Sequence, residues 1–357
     1  MRNSLTKLTS LFFFNFTKKI SKLKIINRGI GFGFFFLTKN FLSIHLRPKY
    51  NSDFKLRTVS VYKKNYFAII IQGPIDNNIN FLCETIKIYK KIFPKCLIVL
   101  STWKDEKKHI KKLNKLGINC LFNEFPESKG LGNINYQLKS TYEGIEFARK
   151  KGSKYILKTR TDCRIQKPNV LDFFIGILKN YPPKKNSKVK KRILASSIAT
   201  CKYRVYGLTD ICLFGTTYDL KKYFNFQTEN EIFKKYKFPV KKIINEVAIK
   251  SEILLCARYL LAIGEDLKWN LRDWWHHLKS YFLIFSSYEI DFFWKKYEWR
   301  FEQRLMRSYG YKSNRLVEFS DWLHLYNTNI NKLGWDRINY KEKWKIADGI
   351  IKKKSIY

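Results

Sequence analysis

The sequence lacks several of the motifs that define common nucleotide and metal sites. It contains neither the glycine-rich P-loop nor the Gly-x-Gly-x-x-Gly motif of dinucleotide-binding proteins, and glycine and proline are scarce. The 7 cysteines include no Cys-x-x-Cys pair, and the 5 histidines include no His-x-x-x-His pair. These absences weaken ATPase, dehydrogenase and zinc-site interpretations. The odd number and wide spacing of the cysteines are typical of a reducing cytoplasm.

Long apolar runs are also absent. Two short apolar stretches lie near the amino terminus, at residues 11–16 and 30–37, and each is far below the roughly 20 residues that a membrane-spanning helix needs. No small-residue cleavage site follows them. We therefore expect residues 1–64 to form a basic, aromatic extension, which either lies on a membrane surface or packs on the rest of the protein.

Acidic residues are few relative to basic ones. The 70 Lys and Arg residues against 29 Asp and Glu residues give a formal net charge of +41. Such a charge favours a polyanionic partner, for example nucleic acid, anionic lipid or a phosphorylated sugar. However, Lys, Asn, Ile, Phe and Tyr are all abundant, which AT-rich codons produce without selection for a partner. Charge alone therefore does not decide the function.

What the sequence does have, from Tyr66 onward, is an alternation of apolar strand-length runs and segments with helical spacing. Residues 67–72, 96–100 and 118–122 are typical of buried strands. Helices are predicted between them and after them, at residues 78–93, 104–116 and 136–150. This alternation predicts an α/β fold with a mostly parallel central sheet flanked by helices.

The sequence changes in character near residue 263. Beyond this point the pattern is helical, and Trp residues are interleaved with Lys and Arg. We predict a helical, aromatic-rich carboxy-terminal subdomain at residues 264–357, with Trp side chains that pack on the core rather than stack on bases. The predicted organisation is thus the extension at 1–64, an α/β domain at 65–263 and this subdomain.

The most informative segment is a short apolar run, residues 155–157, that leads into Lys158, Arg160 and Asp162. In open α/β folds, the carboxyl ends of the strands form the ligand-binding edge of the sheet. Lys158 and Arg160 are candidates to face the charge of a diphosphate, and Asp162 is a candidate ligand for Mg²⁺ or Mn²⁺. The alternative is an ion pair between Arg160 and Asp162 that has only a structural role.

Two further strand ends carry groups that suit a nucleoside. Backbone amides and an indole face can contact a base and its ribose, and both occur directly after predicted strands. The candidate residues for binding the nucleoside are Gln72, Gly73, Pro74, Ser101, Thr102 and Trp103.

A carboxylate is also needed to activate an acceptor hydroxyl. Asp210 directly precedes the apolar run 211–214, so we expect it near the sheet edge, with a turn or cap role as the alternative. Glu246 and Glu252 are other candidate bases. Their spacing of six residues places them on different faces of a helix, so at most one of them points into the cleft.

Five segments, taken in chain order, resemble the WavE-type lipopolysaccharide-synthesis proteins. The resemblance extends over roughly residues 66–262, with a weaker similarity at 321–323, and ordered motifs are more specific than a single one. The segments are residues 70–75, 98–103, 133–144, 157–162 and 206–215.

This resemblance implies a glycosyltransferase of the GT-A type, in which a nucleotide-binding half and an acceptor-binding half share one sheet. It adds Asn135 and Gln137 to the donor-side residues, and it implies that Asp210 and Glu252 face the acceptor. The Asp-x-Asp motif that usually binds Mg²⁺ or Mn²⁺ has Arg160 at its first position here. Neutralisation of the diphosphate by Arg and Lys is therefore the alternative to a metal ion.

We therefore expect a cytoplasmic enzyme, peripheral at the inner face of the cytoplasmic membrane, that uses a nucleoside diphosphate sugar as donor. Its acceptor is expected to be a lipid-linked saccharide or polysaccharide. The rival hypothesis is a non-enzymatic basic protein that binds nucleic acid or an anionic membrane, with nucleic acid the less favoured partner. The rival predicts steeply salt-dependent binding to polyanions, whereas the enzyme predicts selective binding of one donor.

Overall fold

The computed structural model of the protein describes residues 61–77, 79–184, 187–226, 251–297 and 316–335. Nearly all of the predicted extension at 1–64, and also Glu246, lie outside these ranges. None of the described helices is both long and apolar enough to cross a membrane.

The described residues contain nine β-strands. Their bounds are β1 (Phe67–Gln72), β2 (Leu97–Trp103), β3 (Asn119–Asn123), β4 (Tyr155–Arg160), β5 (Cys163–Ile165), β6 (Ile193–Ser196), β7 (Leu213–Thr216), β8 (Phe282–Phe285) and β9 (Phe292–Trp294). Seven of them form one sheet in the order β3-β2-β1-β4-β7-β6-β8, and β5 pairs with β9 in a second sheet.

The large sheet is mostly parallel, as predicted. Strand β7 is antiparallel to both of its neighbours, β4 and β6, and the remaining neighbours pair in parallel. Every residue of β1 and β2 is buried, which explains why these strands appear in the sequence as continuous apolar runs rather than alternating ones.

Helices flank this sheet. Their bounds are α1 (Asn80–Ile92), α2 (Ile110–Asn114), α3 (Ile134–Lys150), α4 (Val170–Asn180), α5 (Thr217–Tyr223), α6 (Ser251–Ala262), α7 (Leu271–Tyr281) and α8 (Phe319–Asn327). Gly144 lets α3 approach β1 closely, since a Cβ atom there would lie only 2.6 Å from Cγ2 of Ile70. The predicted helix at 104–116 is instead a 3₁₀ helix, Lys104–His109, followed by α2.

The region after residue 264 contributes strands as well as helices. β8 pairs in parallel with β6 and so extends the large sheet, and β9 pairs with β5. These strands are not predicted from the sequence, because short apolar aromatic runs are compatible with either a strand or a buried helix. Trp274, Trp275 and Trp322 are buried, so these side chains pack in the core as predicted.

Candidate functional site

The strand register brings three of the predicted segments together. In the parallel pairs, Gln72 at the end of β1 lies opposite Ser101 of β2 on one side and opposite Arg160 of β4 on the other. The ends of these strands therefore meet at the carboxyl edge of the sheet, where α/β folds bind ligands.

The antiparallel strand β7 brings Asp210 to the same edge. Leu213, the first residue of β7, pairs with Lys158 near the carboxyl end of β4. Asp210 precedes β7 by three residues and therefore lies where β4 ends. A parallel β7 would have placed Asp210 at the opposite edge, so the direction of this one strand determines the position of the carboxylate.

Gln72 and Ser101 are joined through helix α3. Nε2 of Gln72 donates to Oγ of Ser140 at 3.0 Å, and Oγ of Ser101 donates to the carbonyl oxygen of Ser140 at 2.6 Å. Nδ2 of Asn123 donates to Oγ of Ser101 at 2.9 Å. Oε1 of Gln72 is buried without a hydrogen-bond partner among the described residues. These contacts fix the strand ends and leave one amide oxygen available.

The loop after β1 is tied to the end of β4. The amide of Thr161 donates to the carbonyl oxygen of Gln72 at 3.1 Å, and Oγ1 of Thr161 donates to the carbonyl oxygen of Pro74 at 2.6 Å. Gly73 has φ of +124°, and a Cβ atom there would lie 3.2 Å from Oγ1 of Thr161. Glycine is therefore required for this tight turn.

An aromatic cluster lies where β2, β3 and α3 meet. The rings of Trp103 and Phe125 stack with centroids 4.5 Å apart, and Tyr136 contacts both of them. Trp103 is only 4% exposed, whereas Phe125 is 44% exposed. The ring available to a ligand is thus that of Phe125, which the sequence analysis missed because Phe125 follows β3 in an irregular loop.

Two other predicted donor-side residues are buried beside this cluster. The side chain of Thr102 is buried, and its Oγ1 has no hydrogen-bond partner among the described residues. Nδ2 of Asn135 donates to Oγ of Ser128 at 3.1 Å and to the Ser128 carbonyl oxygen at 3.3 Å. Asn135 therefore holds the loop that leads into α3.

Asp210 belongs to a buried polar cluster with Gln137 and Lys158. Nε2 of Gln137 donates to Oδ2 of Asp210, and Nζ of Lys158 donates to the carbonyl oxygen of Asp210. Asp210 is 6% exposed and Lys158 is completely buried. Burial lowers the pKa of Lys158 to about 8, with Asp210 opposing the shift and Arg160 adding to it. The structure thus places a carboxylate and a lysine of reduced pKa side by side.

Arg160 and Asp162 form the ion pair that the sequence analysis considered as the alternative. Nε and Nη2 of Arg160 donate to the two Asp162 carboxylate oxygens at 2.9 and 3.1 Å, and Nε1 of Trp294 donates to Oδ2 at 2.9 Å. Burial acts to raise the pKa of Asp162, but the hydrogen bonds from Arg160 outweigh it, and the pKa falls below its usual value. Trp294 is not among the residues that the sequence predicts for the site, because no sequence pattern predicts β9.

The carboxylate of Asp162 is engaged by hydrogen bonds in this arrangement. Both of its oxygens accept them, from Arg160 and Trp294, so a divalent metal ion would compete with the Arg160 guanidinium for these oxygen ligands. Across the part of the chain that the structure describes, no group of three or more His, Cys, Asp or Glu side chains could hold a metal ion. The metal role of Asp162 stays a prediction.

A cavity of about 360 Å³ opens beside this ion pair. Nζ of Lys295 lies 2.5 Å from Oδ2 of Asp76, and the amide of Lys295 donates to the Asp162 carbonyl oxygen at 2.9 Å. Three cationic and two anionic side chains line the cavity, so its walls carry a net positive charge. The lining residues are Pro74, Ile75, Asp76, Phe81, Leu82, Arg160, Thr161, Asp162, Lys295 and Lys296.

Glu252 lies in the first turn of α6. Its side chain is partly buried, and Oγ of Ser251 donates to Oε2 of Glu252 at 3.3 Å. A Cβ atom on Gly132 would lie 3.4 Å from Ser251, so the start of α6 packs against the loop that leads into α3. Glu252 is therefore close in the fold to the helix that carries Gln137.

Comparison with known proteins gives one strong match. A family model described as WavE lipopolysaccharide synthesis matches residues 67–353, which is most of the chain. No curated protein matches the chain.

Among solved structures, the similarities are weak. A mannose-1-phosphate geranyltransferase from Thermus thermophilus is 13% identical, with 36% of this chain and 40% of that chain covered and a TM-score of 0.26. A cytidylyltransferase from Leptospira borgpetersenii serovar Hardjo-bovis is 13% identical over 83% of this chain and 100% of that chain, with a TM-score of 0.33. The glycosyltransferase GlyE of Streptococcus pneumoniae TIGR4 is 8% identical over 81% of this chain and 65% of that chain, with a TM-score of 0.34. These scores assign no activity.

Proposed function

The chain belongs to the WavE lipopolysaccharide synthesis family, and from that premise we propose that it is a glycosyltransferase of the GT-A type. In this proposal it transfers a hexosyl or related sugar from a nucleoside diphosphate donor to a lipid- or glycan-linked acceptor in polysaccharide synthesis. The observation that carries the proposal is the meeting of cations and carboxylates at one sheet edge, where β4 ends and β7 begins.

We assign the donor diphosphate to the cavity beside Arg160 and Lys295. The net positive walls of this cavity favour an anion, and fixed positive charge stabilises the negative charge that develops on a diphosphate leaving group. The exposed ring of Phe125, backed by Trp103, offers a face on which a base can stack. The amide oxygen of Gln72 is available for a donor hydroxyl or amide.

We assign Asp210 as the general base. Gln137 holds Oδ2 of the carboxylate, so Oδ1 is the oxygen that accepts the proton from the acceptor hydroxyl. The acceptor oxygen then bonds to the anomeric carbon as the bond from that carbon to the diphosphate breaks, and the nucleoside diphosphate leaves. Glu252, at the start of α6, is the second candidate for this role.

We also propose that the enzyme acts at the inner face of the cytoplasmic membrane, where a lipid-linked acceptor is accessible. The net charge of +41 supports attraction to an anionic lipid surface. Asp162 and Asp76 are paired with Arg160 and Lys295, so part of the negative charge at the site is neutralised and opposes that attraction less.

A thermal-shift panel of nucleoside diphosphate sugars tests the proposal, with each donor measured in EDTA, Mg²⁺ and Mn²⁺. One donor is expected to raise the melting temperature, since a ligand at 100 times its Kd stabilises the folded state by about 2.7 kcal/mol. The metal conditions also test the metal role of Asp162. If no donor stabilises the protein but nucleic acid binds with steep salt dependence, the non-enzymatic alternative is correct.

A further inference from the structure

A second and larger cavity, of about 970 Å³, lies at the other end of the same strand. Tyr155, the first residue of β4, pairs with Thr216, the last residue of β7, and both line this cavity. Its wall also contains Arg149, Ser153, Lys154, Lys190, Lys221 and Lys222.

This cavity is separate from the candidate site. Strand β4 runs from Tyr155 to Arg160, and five steps of about 3.3 Å separate the two residues by roughly 16 Å. Arg160 lines the smaller cavity at the carboxyl edge, and Tyr155 lines the larger one at the amino edge. A ligand in the larger cavity therefore occupies a different place from the proposed donor.

The lining of the larger cavity is strongly basic. It contains one Arg and four Lys residues but no Asp or Glu. Two carboxylates lie behind the lining: Glu146 pairs with Arg149 at 3.0 Å and with Lys221 at 2.8 Å, and buried Asp219 accepts from the amide of Lys190 at 3.1 Å. Even with both counted, positive charge is in excess, and a concave surface of one sign concentrates counter-ions.

The ring of Tyr218 brings two of these lysines together. Nζ of Lys190 lies 4.4 Å from the ring centroid and Nζ of Lys222 lies 4.6 Å from it. The two ammonium nitrogens are therefore at most about 9 Å apart, and each can donate a charge-assisted hydrogen bond of about 2.8 Å to a phosphate ester bound beside the ring. Tyr218 is 42% exposed, so the arrangement is open to a ligand.

A buried hydroxyl at the cavity wall also lacks a partner. Ser153 is only 4% exposed and lines the cavity, and its Oγ has no hydrogen-bond partner among the described residues. Most buried polar side-chain atoms in proteins are hydrogen-bonded, so this hydroxyl is unusual, although its Oγ atom is itself covered from solvent in the structure.

We propose that this cavity binds a phosphate ester of a hydroxylated carrier, such as a sugar phosphate or the headgroup of an anionic phospholipid. The phosphate is held by Lys190 and Lys222 beside the Tyr218 ring, and the carrier lies along the wall of which Ser153 is a part. The two sources share one chemistry, and the experiments below separate them. The site stands independently of the proposed transferase activity.

Site-resolved lysine acetylation of the full chain tests the proposal without ambiguity from the donor site. Acetylation rates of Lys190 and Lys222 are measured by mass spectrometry with and without glucose 1-phosphate, and separately with phosphatidylcholine vesicles that contain phosphatidylglycerol. At least one probe is expected to slow both rates fivefold or more. Lys111 and Lys115, which are exposed on and just after α2, serve as internal controls and should keep their rates.

A matched pair of double variants completes the test. K190Q/K222Q should weaken binding of the protective probe at least tenfold, measured by titration calorimetry or vesicle co-sedimentation. K111Q/K115Q removes the same charge outside the cavity and should bind within twofold of the wild-type protein. Protection by glucose 1-phosphate alone identifies a soluble ester, and protection by anionic vesicles alone identifies a lipid headgroup.

Three results would overturn the proposal. The first is that neither probe slows acetylation of Lys190 and Lys222. The second is equal slowing at Lys111 and Lys115, which would mean that anions bind the basic surface at large. The third is equal affinity of K190Q/K222Q and the wild-type protein for the protective probe.

Discussion

The two ends of strand β4 handle charge in opposite ways. At the carboxyl end, Arg160 pairs with Asp162, Lys295 pairs with Asp76, and Lys158 donates to the carbonyl oxygen of Asp210. At the amino end, a larger cavity has five cationic side chains in its wall and no acidic one, and among the described residues only Arg149 and Lys221 of the five pair with a carboxylate behind the wall, Glu146. The first end has the fixed charge geometry that chemistry requires, whereas the second has the excess charge that suits an anionic ligand.

Burial explains the difference. Lys158 is completely inside the protein, and a buried charge is tolerated only when it is paired or hydrogen-bonded. Lys154 and Lys190 are exposed, so water solvates their charges and no partner is needed. Substitutions at the carboxyl edge should therefore change both stability and activity, whereas those at the amino edge should change ligand binding alone.

The largest expected effect comes from the carboxylate at the carboxyl edge. Asp210→Asn should lower sugar transfer at least a hundredfold, because loss of a general base typically costs 10²–10⁴ in rate. The measurement is turnover of the donor identified by thermal shift, with Glu252→Gln as the comparator and melting temperature as the control for folding. Undiminished turnover in Asp210→Asn would remove the assignment, and inactivity of Glu252→Gln alone would transfer the role to Glu252.

The second prediction concerns the pH dependence of stability at Lys158. Its pKa is lowered from 10.5 to about 8 in the folded protein, so between these values the unfolded chain binds more protons than the folded one. The stability of the wild-type protein then rises with pH, whereas Lys158→Met lacks this titration. The unfolding free energy of the wild-type protein minus that of Lys158→Met should therefore increase by about 3 kcal/mol from pH 8 to pH 10.5. Urea unfolding across this range measures it, and a constant difference would show that Lys158 is not desolvated.

The third prediction breaks the ion pair at the same edge. Arg160→Gln should destabilise the protein by about 2 kcal/mol, the typical value for hydrogen bonds to a charged group.

The same ion pair predicts how stability depends on pH. Because the pKa of Asp162 is lowered in the folded state, its ionised carboxylate stabilises the protein above the pKa of the unfolded chain, ordinarily 3.8. This stabilisation disappears as the pH falls through the folded-state pKa. The stability difference between the wild-type protein and Asp162→Asn should thus be constant near neutral pH and shrink on acidification below about pH 4. A difference that grows on acidification would contradict the pair.

The smallest expected effect is at the amino edge. K190Q/K222Q should change the unfolding free energy by less than about 1 kcal/mol, since Lys190 is exposed, Lys222 is half-buried, and lysines over an aromatic ring at the surface contribute little to stability. Urea unfolding at neutral pH measures this change beside K111Q/K115Q. A large loss of stability in K190Q/K222Q would show that these lysines are structural and would remove the contrast between the two edges.

The sequence was sufficient for features that depend on local patterns. The apolar run 67–72 predicted β1 with the bounds that the structure has, because a fully buried parallel strand is continuously apolar. The rule that parallel strands end at one edge predicted that Gln72, Ser101 and Arg160 would lie together, and the register confirms it. Their roles in donor binding remain predictions.

Features that depend on long-range pairing could not be predicted. Trp294 reaches Asp162 only because β9 pairs with β5, across more than a hundred residues of sequence. Asp210 reaches the carboxyl edge only because β7 is antiparallel, and no local pattern specifies strand direction. The basic cavity likewise combines residues from several separate segments, so in the sequence its lysines are indistinguishable from other surface lysines.

The most direct test of the central claim is calorimetric titration of nucleoside diphosphate sugars into the wild-type protein and Arg160→Gln. The account predicts that one donor binds the wild-type protein and that Arg160→Gln binds it at least tenfold more weakly, because the guanidinium lines the cavity assigned to the diphosphate. Absence of binding to every donor, or equal affinity of the two proteins, would contradict the placement of the donor at the carboxyl edge of the sheet.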